Sequence, residues 1–592
     1  MSHEIDTDAT APNRGRRRFL KTVPVAMAAG LATPAFARQQ PAGPPPASGP
    51  ITTSVLKDAE AIDGMHYTDA EAQMALRNVN DNLESYDTLR KVDVPLGTEP
   101  AFTFRPYMAG KKPTGASTRN ATLKVSRPAV HPGSSLDSIA FAPVIALAPL
   151  LESKQVSSTE LTKMYLARLK KYGPPMNCVI TLTENLALEQ AAQADREIRA
   201  GQYRGPLHGI PWGGKDLLST RGIRTTWGAK PYENQVPDVD ATVVERLRDA
   251  GAVLVAKLSM GALAQGDVWY GGKTRNPWDI EKGSSGSSAG PGAATGGGLV
   301  GFAIGTETLG SIMSPSSTCG VTGLRPTYGR VSRYGAMALS WTMDKLGPMA
   351  RGVEDCALVF NAIYGSDGRD TSVMDAPFHW NPDVPLSSLR IGYVQSEFER
   401  APANLPEARR AAFEQQMLLE KAALDVFRKA GAKLEPITLP DFPARALTYC
   451  LDAEAGAAFD DLTRSHGVDQ MVQQGPNAWP NTFRSSRFIP AVEYIRGQRA
   501  RRLLMQQMDQ LMSTYDVFIS PMRSASLTIT NFTGHPALAL KCGFDAGMPQ
   551  AIMLTGRLYD EATLLRAGLA YEQATKWHTM NPDLEKTLKL TD

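Results

Sequence analysis

Four serines crowd between Gly283 and Ala289, a fifth stands at Ser311, and Lys215 lies upstream at the end of an apolar Ile-Pro-Trp-Gly-Gly run. These side chains can attack a carbonyl. A serine hydroxyl serves as nucleophile once a base removes its proton, and main-chain N–H groups can hold the oxyanion that forms. Lysine can be that base if burial lowers its pKa from ~10.4 toward about 7–8. The stretch 283–311 holds ten glycines and five serines in 29 residues. A flexible linker does not fit it, because the apolar run from Leu299 to Ile304 belongs in a core, and glycine inside a core signals close backbone approach or positive φ.

Two other chemistries compete for the same residues. Gly209 to Lys215 nearly matches a phosphate-binding loop, but Asp216 stands where a Mg²⁺-binding hydroxyl belongs and Pro211 removes an amide donor. Gly286-Ser287-Ser288-Ala289-Gly290 matches a nucleophile elbow around Ser288, with His535 or His578 as the base. An elbow needs a strand directly before it, and Asn276-Pro277-Trp278-Asp279 with Lys282-Gly283 reads as loop.

The elements that must position these residues follow from local patterns. Thr68-x-x-Glu71 and Ser157-x-x-Glu160 read as capping boxes that open helices. Leu161, Met164, Tyr165 and Leu169 make a helical stripe that should stop at Gly173, and a second helix should run from Glu184 to Ala200. Val239–Ala250, Gly251 and Ala252–Ala256 read as helix, stop and buried strand, and residues 407–437 repeat that order around Gly431. Leu389–Val394, Val517–Ser520 and Leu538–Lys541 read as further strands. Alternating helices and buried strands predict an α/β body with a covered sheet. Residues 38–55 read as a Pro/Ala/Gly/Ser linker, 56–92 as helical and 93–135 as irregular, so 38–140 is expected to be an accessory extension and 141–592 the main domain.

Residues 1–37 have the order of an export signal. Arg16-Arg17-Arg18-Phe19-Leu20-Lys21 precedes an uncharged stretch that ends in Ala35-Phe36-Ala37, a pattern that resembles a bacterial twin-arginine signal peptide. The stretch is short for a spanning helix, which needs ~20 residues, and Pro24 and Pro34 interrupt it. The expectation is export by the twin-arginine machinery to the periplasm or outside the cell, with no stable membrane insertion after cleavage. The formal net charge of the 592-residue chain is +3, and about +1 without this segment. That leaves no electrostatic footprint for nucleic acid. The five cysteines are widely spaced, without a CxxC pair, so neither a zinc ribbon nor a dense disulfide framework is expected.

The ordered motifs from Lys215 to Pro326 resemble the amidase signature family of Ser-Ser-Lys amide hydrolases. They are Gly209-Ile210-Pro211-Trp212-Gly213-Gly214-Lys215-Asp216, Ser285-Gly286-Ser287-Ser288-Ala289-Gly290, Gly305-Thr306-Glu307-Thr308-Leu309-Gly310-Ser311-Ile312 and Cys319-Gly320-Val321-Thr322-Gly323-Leu324-Arg325-Pro326. Support extends over roughly 140–580. The resemblance implies an α/β/α sandwich around a mixed, largely parallel sheet. It implies a triad of Lys215 as base, Ser287 as bridge and Ser311 as nucleophile, since the family's two serines stand 24 residues apart. It also implies a cis peptide at Gly286–Ser287, and an oxyanion hole of main-chain N–H groups from Thr308, Leu309, Gly310 and Ser311. Ser288 would orient the relay, and Glu307 would take the place of the usual Asp before the nucleophile turn. Leu309 and Met313 depart from the usual Gly and Arg. Cys319 and His535 are expected to be structural.

The expected activity is hydrolysis of linear amides through an acyl-enzyme, on a small-molecule substrate, with no metal and no cofactor. The alternatives are an ester or carbamate hydrolase with the same triad, a non-catalytic binding protein, or an amidotransferase A-like subunit. Substrate contacts are expected around Trp479, Phe483, Tyr494 and Arg499, and from a rim at 60–140.

Overall fold

The structure, a computed structural model, describes residues 50–589 apart from 64–65, 90, 92–95, 97, 99–101 and 401–405. The export signal at 1–37 lies outside the described residues. The chain divides into two units, Met1–Val92 and Asp93–Asp592. In the first, helices span Thr53–Asp63 and Asp69–Leu89. The expected capping box opens the second helix: the Thr68 N–H donates to Glu71 at 2.7 Å, and the Glu71 N–H to the Thr68 hydroxyl at 3.3 Å.

The unit boundary therefore falls at Val92, not at 140. Residues 93–135 carry no helix or strand among the described residues, as expected, yet they belong with the larger unit. Isolated side-chain bonds tie them down. Asn361 donates to the Ala121 carbonyl at 2.9 Å, Trp380 Nε1 to the Lys124 carbonyl at 2.7 Å, and Ser126 bonds to Glu354 through its hydroxyl and its N–H.

The larger unit is built on one 11-stranded sheet. Its strands are β1 (Val179–Leu182), β2 (Pro211–Lys215), β3 (Val253–Leu258), β4 (Phe302–Glu307), β5 (Thr322–Arg325), β6 (Lys345–Ala350), β7 (Ile391–Val394), β8 (Leu434–Ile437), β9 (Val517–Pro521), β10 (Ala537–Asp545) and β11 (Met548–Gly556). Their order across the sheet is β1-β3-β2-β4-β6-β5-β10-β11-β9-β7-β8. The α/β class and the mixed, helix-flanked sheet are as expected. Parallel pairing occupies two blocks, β3-β2-β4 and β9-β7-β8, and the other six ladders are antiparallel. Every residue of β2, β3, β4 and β6 is buried, the mark of strands covered on both faces.

Helix α1 (Ser158–Met176) opens on the predicted capping box of Ser157 and Glu160. It does not stop at Gly173. It runs through Pro174 and Pro175 and ends on Asn177, whose φ of 50° supplies the left-handed cap. The helices predicted over 184–200, 239–250 and 407–430 form at Glu184–Arg199, Thr242–Asp249 and Glu407–Lys429.

Helix α2 (Ala289–Gly296) is wholly buried and lies against the end of β3, where the Gly290 N–H donates to the Ser259 carbonyl at 2.8 Å. A Cβ on Gly290 would stand 2.4 Å from the Ser259 nitrogen and 2.6 Å from the Cys178 carbonyl oxygen. Backbone on both sides cannot yield as a side-chain tip would, so α2 would have to move off the sheet. Gly290→Ala should therefore cost about 1–3 kcal/mol of stability, read as a lower urea midpoint with an unchanged m-value.

Candidate active site

Lys215 is the last residue of β2 and has no solvent exposure. The strand is Pro-Trp-Gly-Gly-Lys, and its glycines let neighbours close in. A Cβ on Gly213 would lie 2.3 Å from a Leu258 methyl of β3. The ammonium nitrogen meets oxygen atoms that carry no formal charge. Ser287 Oγ lies at 2.8 Å, Thr306 Oγ1 at 2.9 Å, Ser288 Oγ at 3.1 Å and the Thr306 carbonyl at 3.4 Å. Burial pulls the Lys215 pKa down to about 7, against the upward pull of Asp344 and Glu307. A nitrogen so placed exists partly as free amine near neutrality, which is what a base for a serine relay requires.

Ser287 follows the one cis peptide among the described residues, Gly286–Ser287. A Cβ at Gly286 would fall 1.8 Å from the Gly266 carbonyl oxygen, so no larger residue fits there. Ser288 is fully bonded. Its hydroxyl donates to the Thr306 carbonyl at 3.0 Å and accepts from the Thr306 N–H at 3.1 Å, as well as from Lys215. It has no lone pair free for attack, and no strand leads into it, so the geometry does not support the nucleophile-elbow reading. His535 lies buried beside Thr533, its Nδ1 at 2.8 Å from the hydroxyl, and its carbonyl accepts from Arg325. Cys319 is likewise buried, with its thiol against the Ser284 carbonyl.

Ser311 sits in the turn between β4 and helix α3 (Met313–Cys319). Its hydroxyl makes no hydrogen bond among the described residues. The main chain holds it beside the relay, through Ser288 N–H donating to the Ser311 carbonyl at 3.2 Å. The structure thus joins Lys215 to Ser287 directly, and among the described residues no hydrogen bond links the side chains of Ser287 and Ser311.

Glu307 fixes that turn. One carboxylate oxygen accepts from the N–H groups of Ile312 and Met313 at 2.8 and 2.9 Å. The other accepts from Arg325 at 2.8 Å and Asn531 at 2.9 Å. Burial alone would raise its pKa, but Arg325, Lys345 and these donors hold it at about 2. The carboxylate takes up the two N–H groups that follow Ser311. Those of Leu309, Gly310 and Ser311 donate to nothing among the described residues. Gly310, at φ 93°, permits the turn between them. Met313, where the family usually has Arg, is buried in an apolar cluster with Ile312, Val321, Met349 and Met522.

Thr308 donates to Asp344 at 2.6 Å, and the Lys345 ammonium lies 3.3 Å from the Thr308 carbonyl. Sequence reasoning missed both β6-end residues. Their only signal was the spacing that places Asp344-Lys345 ahead of a Gly-Pro pair. Trp479 and Phe483, expected to meet substrate, are buried and stacked on each other, with ring centroids 5.1 Å apart. Tyr494 bonds to Glu454 at 2.9 Å, and Arg499 is exposed. Among the described residues, no cluster of three or more His, Cys, Asp or Glu is placed to hold a metal ion.

A family model described as Amidase matches residues 160–528. Among curated proteins, the chain is 36% identical over 479 residues to the A subunit of the glutamyl-tRNA(Gln) amidotransferase of Roseiflexus sp. (strain RS-1), covering 73% of this chain and 96% of that protein. It is 35% identical over 488 residues to the protein of that name from Methylococcus capsulatus, covering 74% and 97%. Among solved structures it is similar to the native peptide amidase from Stenotrophomonas maltophilia, with 30% identity and a TM-score of 0.66 over 76% of this chain and all of that one. It is also similar to an amidase family protein from Bacillus anthracis str. Ames, at 26% identity and a TM-score of 0.65 over 75% of this chain and 92% of that one.

The lowered Lys215 pKa has a stability consequence of definite sign. Between about pH 7 and 10.5 the unfolded chain holds a proton at this lysine that the folded chain has released. Stability therefore rises with pH across that window, by up to about 1.4 kcal/mol per unit. Below the window both states are protonated and the slope vanishes. Lys215→Met should be the more stable protein at pH 7, and its advantage should shrink on going to pH 9. Urea titrations of both proteins at the two pH values measure this.

Proposed function

The chain belongs to the amidase family and is an enzyme acting on carbon–nitrogen bonds, and from that premise we propose that it hydrolyses amides through an acyl-enzyme on Ser311. The observation that carries this reading is the 2.8 Å contact between a fully buried Lys215 and Ser287. Neutral Lys215 takes the Ser287 proton, Ser287 takes that of Ser311, and Ser311 Oγ adds to the carbonyl carbon. The N–H groups of Leu309, Gly310 and Ser311, with that of Thr308, receive the oxyanion. Collapse of the adduct expels the amine, which takes the proton back through Ser287. Water, activated by the same relay, then cleaves the ester and restores Ser311.

A second reading rests on the curated relatives. Their shared name makes an amidotransferase A-like subunit, which draws ammonia from an amide for a partner, the alternative role for the same relay. The similarity to a peptide amidase supports the hydrolase reading. The arginine-rich start at Arg16–Lys21 supports export by the twin-arginine route.

A fluorophosphonate probe should label Ser311, and Ser311→Ala should abolish labelling. Attachment at Ser288 instead would overturn the assignment. The rate of amide hydrolysis should rise with pH through about 7, tracking the free amine of Lys215. Lys215→Ala should lose at least ~10³-fold in kcat. Unchanged hydrolysis in that variant at neutral pH would sink the relay. In cells, a fusion of residues 1–45 to a reporter should reach the periplasm, and should stay inside a strain lacking the twin-arginine machinery.

A further inference from the structure

A chamber of about 340 Å³ lies at the edge of the relay. Two of its wall residues belong to the catalytic strand and turn: Thr306, whose hydroxyl accepts from Lys215, and Thr308, which begins the loop ending at Ser311. Leu217, Val239, Met337, Leu339, Trp341 and Leu346 give it an apolar lining. Four charged side chains also border it, and each is engaged by the protein itself. Asp344 accepts from Thr308 and from the N–H groups of Leu339 and Ser340 at 2.6, 2.8 and 3.0 Å. Arg333 pairs with Asp370 at 2.9 Å, and Arg369 pairs with Glu245. The Trp341 indole N–H, by contrast, is buried without an acceptor.

We propose that this chamber binds an uncharged, ring-sized apolar group of the amide substrate, one that carries a single hydrogen-bond acceptor for Trp341. The proposal rests on the hydrolase reading above and narrows it. A carboxylate or ammonium on that group would enter a site whose countercharges are already engaged, and burying an uncompensated charge is strongly unfavourable. The free amino acid glutamine is therefore excluded from this space.

Matched pairs test it: 4-methoxybenzamide against 4-carboxybenzamide, and the acetanilides bearing those two groups. The neutral member of at least one pair should show kcat/KM at least 100-fold above its charged twin. Ala338→Phe, which fills the chamber, should lower that value at least tenfold while Ser311 still labels. Trp341→Phe keeps the packing and should cost three- to tenfold for the methoxy substrate alone. Equal rates within both pairs overturn the proposal, as does a Trp341→Phe enzyme that matches wild type. Labelling of Ser311 with no hydrolysis of either neutral compound overturns it too. Absence of both labelling and hydrolysis would instead bring down the reading of the function.

A separate contact carries a second inference. Lys345 is paired with Glu307 across β6 and β4, is buried, and places its ammonium 3.3 Å from the Thr308 carbonyl. The carbonyl and N–H of one peptide point to opposite sides of the chain. Holding the Thr308 carbonyl toward β6 therefore turns the Leu309 N–H the other way. We infer that Lys345 is a positioning residue for the oxyanion hole. Lys345→Met should lower kcat about 10–100-fold at constant KM. It should weaken a boronic acid that forms a tetrahedral adduct on Ser311 by the same factor, and leave an unreactive substrate analogue unaffected. Lys345→Gln, which keeps a donor, should recover part of the loss. A boronate affinity that does not move while kcat falls, or equal losses in both variants, would rule the role out.

Discussion

The withdrawal of Lys215 from water is the constraint from which the rest of the site follows. A buried ammonium is unfavourable unless a carboxylate pairs with it or the proton leaves. Here the contacts are hydroxyls and a carbonyl, so the proton is held loosely and the pKa settles at about 7. Two carboxylates near it pull the other way, and the structure restrains both. Glu307 is paired with Arg325, which offsets its charge. Burial pushes the Asp344 carboxyl upward, toward its neutral form. Arg325 thus acts on Lys215 as well as on the Ser311 turn, because an unpaired Glu307 would favour the protonated lysine.

The turn at Ser311 has a second requirement, that donors be left free in a place where buried donors are normally bonded. Glu307 meets it by engaging Ile312 and Met313 and stopping there. The glycines around the relay meet a different need. A Cβ at Gly305 would stand 2.8 Å from Ser288 Oγ, and one at Gly286 would collide with the Gly266 carbonyl. Close approach of three backbone segments, rather than flexibility, explains why glycine accumulates between 283 and 311.

The helices were legible because their ends are written in local chemistry, as at Ser157 and Glu160. The strands that carry the site were not. Pro-Trp-Gly-Gly-Lys has no β-branched residue and two glycines, yet it is fully buried in the sheet. Lys345–Ala350 contains Lys, Gly and Pro and is equally buried. In both, tertiary packing overrides a poor local propensity. Motif order singles out Lys215, Ser287 and Ser311, whereas the residues that restrain them leave no such trace. Arg325, Asn531, Asp344 and Lys345 come from distant segments and converge only through sheet register. The boundary at Val92 was hidden for a similar reason, since 93–135 is held by scattered single bonds that leave no periodic trace. Trp479 and Phe483, expected to meet substrate, stack on each other inside a helical layer instead.

Two other lysines show why burial alone does not make a base. Lys257 is as deeply buried as Lys215, but it bonds to Thr225 at 2.6 Å and stands 3.4 Å from the Asp216 carboxylate. Its charge has a partner and no relay leads from it. That pair also matters to its neighbour. Asp216 follows Lys215 directly, and an unpaired carboxylate there would stabilise the ammonium form of Lys215. Engaged by Lys257 and by Thr226 through two hydrogen bonds of 2.7 and 2.6 Å, it fixes the backbone after β2 without adding net charge beside the base. Lys345 is pushed well below its ordinary pKa, first by burial and then by the Arg325 cation. Its bond goes to a carbonyl, which can accept a hydrogen bond but has no proton to give. Of the three, only Lys215 faces a serine hydroxyl that can pass a proton onward, and this difference in partners is why the proposed relay is built on it.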